Sequence, residues 1–133
     1  MTNTPSREPL RVLCVEDEEL VRMTIVEFLS DWGYAVVEAS SATEAEQVLE
    51  SSEKLDLLIT DIRLGDADGW TVAGLARAAR PNIPIIYMSG YPTDGERLPR
   101  TAYVCKPFRL DELGQAIRAL LGGTEHDGLA VTG

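Results

Sequence analysis

The chain has 133 residues, 44% of them apolar and 26% charged, the proportions of one ordinary globular domain with its own core. A formal net charge of −10 offers no concentrated basic face to displace counterions from phosphates, which argues against nucleic-acid binding. No apolar run approaches the roughly 20 residues of a membrane span, and residues Met1 to Pro9 lack an apolar leader core, so a cytoplasmic protein without membrane association is expected.

Residues 1–9 are polar and carry two prolines, and are expected to form a flexible tail before a domain over 10–121. The first strand is predicted over Leu10 to Val15. Val21, Ile25, Phe28, Leu29 and Trp32 then repeat at helical spacing, and Gly33 can end that helix. Tyr34 to Val37 predicts a second strand. Ser41 and Glu44 have the spacing of a capping box for a helix burying Ala42, Ala45, Val48 and Leu49. Leu55 to Thr60 is the third strand, followed by a helix with the stripe Val72, Leu75, Ala76 and Ala79 that Pro81 stops. Ile83 to Met88 is the fourth. Gly90 to Arg100 is interrupted by Pro92, Gly95 and Pro99 and is expected to be irregular, with any helix there short. Thr101 to Cys105 is the fifth strand, and Leu110, Leu113, Ile117, Leu120 and Leu121 mark the last helix. Residues 122–133 hold four glycines and no periodicity, the composition of a flexible tail.

Most of the strand runs are nearly continuous rather than alternating, as expected of strands covered on both faces in a parallel sheet. Strands alternating with helices at this spacing predict a three-layer α/β domain. Cys14 and Cys105 both sit in apolar runs and are expected to be small buried hydrophobes.

In open parallel sheets ligands bind beyond the carboxyl ends of the strands. The first strand ends in Glu16-Asp17-Glu18-Glu19, the third in Asp61, the fourth in Ser89-Gly90 and the fifth in Lys106-Pro107-Phe108. Glu16, Asp17 and Asp61 would repel one another in one crevice unless a cation offsets them. An oxygen-only ligand set favours a hard ion, and Mg²⁺ keeps waters that phosphoryl oxygens can replace. The pattern suggests phosphoryl chemistry, with Asp61 as nucleophile and Lys106 neutralising a phosphoryl oxygen. Glu18 and Glu19 are accounted for as acids at a helix N-terminus.

The stretches VLCVEDEELVR, LDLLITDIRLGDADGW, IPIIYMSGY and AYVCKPF resemble the receiver domain of two-component response regulators over about residues 10–121. The resemblance implies a flavodoxin-like fold, a five-stranded parallel sheet in the order 2-1-3-4-5 with helices on both faces. It implies Asp61 as the phosphoacceptor, Asp17 as a metal ligand, Glu16 as a ligand directly or through water, and Arg63 as a ligand through its backbone carbonyl. Ser89 matches the switch hydroxyl, Tyr103 the switch aromatic, and Lys106 the lysine before a cis proline at Pro107. The implied partners are a sensor histidine kinase or histidine phosphotransfer protein and a downstream protein. Two departures stand out: Glu16 occupies a position where Asp is commoner, and only 17 residues lead from Ser89 to Lys106, which curtails the fourth helix. The short segment and the SGY run resemble single-domain receivers of stress signalling and the terminal receivers of hybrid kinases.

The twelve residues after Leu121 predict no effector domain, so a single-domain regulator signalling by protein contact is expected. Alternatives are the terminal receiver of a hybrid kinase, a phosphorelay shuttle, or a Mg²⁺-dependent phosphatase of the haloacid-dehalogenase type. That last class carries an acid/base Asp two residues after its nucleophile, where this chain has Arg63.

Overall fold

The computed structural model describes residues 8–90 and 98–122. In chain order the elements are β1 (Arg11–Val15), α1 (Glu19–Asp31), β2 (Ala35–Ala39), α2 (Ala42–Glu50), β3 (Leu57–Asp61), α3 (Gly69–Ala79), β4 (Ile85–Ser89), β5 (Thr101–Cys105) and α4 (Leu110–Leu121). All four strand pairings are parallel, and the sheet order is β2-β1-β3-β4-β5. This is the flavodoxin-like arrangement that the resemblance implied.

Alternation of side chains along each strand divides the core in two. Leu13, Val15, Leu58, Ile85 and Tyr87 pack against α2 and α3 on one face. Val12, Cys14, Leu57, Ile59, Ile86 and Met88 pack against α1 and α4 on the other. Both faces of β1, β3 and β4 are therefore buried, which is why those segments read as unbroken apolar runs. Gly33, with φ of 94°, ends α1 in the left-handed region, as its place after Trp32 suggested.

Several expectations need correction. β2 lies two residues further on than the apolar run at its end, because pairing with β1 continues to Ala39 opposite Val15. The predicted stripe of α3 is turned: Leu75 and Ala79 are exposed, and Val72, Ala73 and Ala76 face the core in register with Gly69. Contact of Gly69 with the end of β3 fixes that face. Ser41 does accept from Glu44 N at 3.1 Å, but the Glu44 carboxylate reaches Ser40 N, at 2.7 Å, instead of Ser41. Cys14 is buried, and burial pushes its thiol up to about 12. Cys105 is exposed, because it is the last residue of the edge strand β5. The two tails, apart from Glu8, Pro9 and Gly122, and most of the segment expected to be irregular, lie outside the described residues. No helix among the described residues is long and apolar enough to cross a membrane.

Candidate functional site

The site lies where β1 and β3 deliver their last residues side by side. Strand β1 pairs with β3 through Val15 opposite Thr60, so the next residues, Glu16 and Asp61, emerge together at the carboxyl edge. Carboxylate oxygens of Glu16, Asp17 and Asp61 lie within 4.8 Å of one another. Glu16 and Asp61 are buried and Asp17 is exposed, so the cluster has two anchored acids and one facing solvent.

Lys106 reaches this cluster from β5. Its Nζ lies 2.6 Å from Asp61 Oδ2 and 2.8 Å from Glu16 Oε1. Burial pulls the Lys106 ammonium down, and the two carboxylates more than offset this, leaving it above its usual range. Burial raises Glu16 above the ordinary carboxylate range, with the charge of Asp61 adding to the rise and Lys106 opposing it. With all groups ionised, three carboxylates against one ammonium leave two negative charges, which a divalent cation would balance. All donors in the cluster are oxygens, which suits a hard ion. The donor set therefore fits Mg²⁺.

The two buried acids are held by backbone groups as well. Arg63 N donates to Asp61 Oδ1 at 3.1 Å, and Glu18 N donates to Glu16 Oε2 at 3.0 Å. Arg63 also lines a cleft of about 550 Å³ together with Asp17, Gly65, Ala67, Asp68 and Trp70. Ser89 ends β4 one strand further on, buried, and its carbonyl accepts from Lys106 N at 2.7 Å. The Lys106–Pro107 peptide is cis, as expected. Tyr103 pairs across the sheet with Tyr87, their ring centroids 5.2 Å apart, and Trp70 packs on both at 6.1 and 4.6 Å. The structure thus gathers Glu16, Asp17, Asp61 and Lys106 in direct contact range and sets Ser89 and Tyr103 on the neighbouring strands.

Three residues important to this geometry went unnoticed in the sequence. Arg22, on α1, donates from Nη1 to the Glu16 carbonyl at 2.8 Å and from Nε to Glu38 at 3.1 Å, pinning the acidic loop. Gly69 approaches the Asp61 carbonyl so closely that a Cβ would stand 2.2 Å from it. Asp66 fastens the loop after β3 to α2. None of the three stands at a strand end, which is where the chemistry was sought.

The fold and this site together define an α/β domain that presents three clustered carboxylates and a lysine at the carboxyl edge of its parallel sheet. The family profile described as "Response regulator receiver domain" matches residues 12–118. The chain belongs to that family. It is 36% identical over 116 residues to sensor kinase CckA of Brucella abortus, covering 83% of this chain and 12% of that one. To the transcriptional regulatory protein RprY of Bacteroides fragilis it is 34% identical over 119 residues, covering 86% and 50%. The solved structure of a response regulator receiver protein from Sinorhizobium medicae superposes with a TM-score of 0.82 at 34% identity, covering 89% of this chain and 98% of that one. The chain spans half or less of the length of these two curated relatives.

Proposed function

We propose that this chain is a response regulator that takes a phosphoryl group onto Asp61 from a histidine kinase or histidine phosphotransfer protein, with Mg²⁺ bound at Asp17, Asp61 and the Arg63 carbonyl, and signals through protein contact. The single observation carrying this reading is the cluster of Asp61, Asp17 and Glu16 at the carboxyl edge of the sheet, with Lys106 paired to Asp61 and Glu16. An oxygen of Asp61 bonds to phosphorus as the bond from phosphorus to the donor imidazole breaks, and the electron pair stays on the imidazole nitrogen. Bound Mg²⁺ supplies neutralisation of Asp61 and of the incoming phosphoryl oxygens. Lys106 is placed to exchange its contact with Asp61 for one with a phosphoryl oxygen while Glu16 keeps it in position. Ser89 and Tyr103, on adjacent strands, are the residues assigned to relay the new charge.

The test is acquisition of one phosphoryl group from a small-molecule phosphodonor, measured by intact mass with Mg²⁺ and with excess chelator. Labelling only with Mg²⁺ is expected; labelling unaffected by chelation would overturn the metal's role. Asp17→Ala should weaken Mg²⁺ binding by at least about a hundredfold, since the loss of even an outer-shell partner typically costs 10- to 100-fold. Trp70 lines the cleft, so its fluorescence can follow the titration. Superimposable curves for wild type and Asp17→Ala would remove Asp17 from the ligand set.

A groove beside Lys106, lined by Leu20, Val21, Thr24, Pro107, Phe108 and Leu110, is continuous with the site. On its rim Leu20 is 78% exposed, and Met23 nearby is 53% exposed. Exposed apolar side chains bordering a reaction centre mark a docking surface, and the occupant that must come this close to Asp61 is the protein phosphodonor. Leu20→Asp should slow transfer from a phosphorylated protein donor about tenfold, equivalent to about 1.4 kcal/mol, while leaving the rate from a small donor unchanged. An equal fall with both donors would place Leu20 in the site instead of the docking face. The resemblance to a sensor kinase over 83% of this chain favours one further reading, the receiver of a hybrid kinase that hands its phosphoryl group to a phosphotransfer protein. Rapid loss of label to such a protein would support it.

A further inference from the structure

Asp66 stands at the tip of the loop between β3 and α3, and its carboxylate serves a helix that contributes no residue to the acid cluster. Its Oδ1 accepts from Ala42 N at 3.0 Å, and its Oδ2 accepts from Thr43 N at 3.0 Å and Thr43 Oγ1 at 2.8 Å. Those amides are the first two of α2, groups that no residue inside the helix can satisfy. The third, Glu44 N, is taken by Ser41 Oγ at 3.1 Å. So α2 has two caps of different origin, one local and one belonging to the phosphoacceptor loop.

The loop itself is closed at its base. Gly69 N donates to Ile62 O at 2.7 Å, Leu64 N donates to Ala67 O at 3.1 Å, and Arg63 and Asp68 form an antiparallel bridge. A segment stapled in this way moves as one piece, so its position depends on what holds its tip. Its Gly65 faces Asp17 Oδ2, 3.9 Å from where a Cβ would stand, and with Arg63 and Ala67 it forms the wall of the cleft opposite Asp17. The separation between Asp17 and the Arg63 backbone is thus set partly by where Asp66 is tied.

We infer that Asp66 is a positioning residue for the cation site, holding the loop at the distance from Asp17 at which one ion can meet both walls of the cleft. This rests on the Mg²⁺ reading given above. Linkage makes the effect reciprocal: an ion that prefers the held loop also strengthens the cap on α2. The helix start would thereby respond to events at Asp61, although α2 has no side chain in the cluster.

Isothermal titration with Mg²⁺ on wild type, Asp66→Ala, Asp66→Asn and Ser41→Ala tests this, paired with amide exchange at Ala42 and Thr43. Asp66→Ala should bind Mg²⁺ about tenfold more weakly, the lower end for loss of an outer partner of a metal site. Asp66→Asn, which keeps one acceptor oxygen, should fall between. Ser41→Ala weakens the same helix start from the other side and should leave Mg²⁺ affinity within about twofold, since outer-partner effects of this kind follow the loop that carries them. Mg²⁺ should slow exchange at Ala42 and Thr43 in wild type and not in Asp66→Ala. Wild-type affinity in Asp66→Ala, or equal weakening in Ser41→Ala, would overturn the inference while leaving the Mg²⁺ reading intact. A wild-type chain that takes up no Mg²⁺ would overturn that reading, and the inference with it.

Discussion

Asp61→Asn is expected to acquire no phosphoryl group under conditions in which wild type takes up one, the largest effect available from a single substitution in this chain. The change is nearly isosteric at a position that is only 7% exposed, so the strand and its neighbours have little to rearrange. What changes is charge and hydrogen-bonding character. Both oxygens of Asp61 face donors: Oδ1 receives Arg63 N and Oδ2 receives the Lys106 ammonium. An asparagine can accept from one of these with its single oxygen and sets its NH₂, itself a donor, toward the other, and it has no anionic oxygen with which to attack phosphorus. Lys106 keeps its contact with Glu16, so the lysine stays in place, and what is lost is the anionic oxygen of Asp61, both as nucleophile and as one charge of the cation cluster. Intact mass after incubation with a small phosphodonor and Mg²⁺ checks it. The same mass increment in the variant as in wild type would mean that another side chain is the acceptor.

How far such a site is legible in a sequence depends on how far apart the interacting groups lie along the chain. Strands buried on both faces leave a signature in a handful of consecutive residues, and the polar side chains at the carboxyl edge sit at the ends of those runs, so Asp17, Asp61, Ser89 and Lys106 could be picked out as candidates. Their convergence follows from the sheet order, which the resemblance to receivers supplied and the pairing of β1 with β2 and β3 realises. Helical periodicity was less decisive. The stripe through Leu75 and Ala79 is as regular as the true one, and what selects Val72, Ala73 and Ala76 is a backbone contact at the first residue of α3. Arg22 and Asp66 were illegible for a related reason. Each makes its decisive hydrogen bond to main-chain atoms, the Glu16 carbonyl in one case and the Ala42 and Thr43 amides in the other, and main-chain atoms carry no residue identity for a pattern to register.

Gly69→Ala is expected to be the most destabilising conservative change near the site. The added methyl would stand 2.2 Å from the Asp61 carbonyl oxygen, and 3.0 Å from both the Asp61 carbonyl carbon and Ile62 Cα. All three are backbone atoms at the end of a central strand, so no flexible side chain can yield. The short hydrogen bond from Gly69 N to Ile62 O, 2.7 Å, ties the same two segments together and blocks the simplest relief, sliding α3 outward. Accommodation must therefore move either the start of α3 or the end of β3, and the second displaces Asp61 from Lys106. A cost of at least about 3 kcal/mol, the upper end for overpacking, corresponds to a fall in Tm of roughly 10 °C or more for a domain of this size. Phosphoryl uptake should slow in parallel. Gly74 offers an internal control in the same helix: it is exposed, nothing lies within 4 Å of a Cβ there, and alanine should stabilise by roughly 0.5 to 1 kcal/mol through helix propensity. Opposite signs at the two positions would show that the contact with Asp61, and not the loss of a glycine from α3, is what matters. A Gly69→Ala chain melting within about 2 °C of wild type, less than 1 kcal/mol on this scale, would mean that the close approach of α3 to the end of β3 is not maintained in solution.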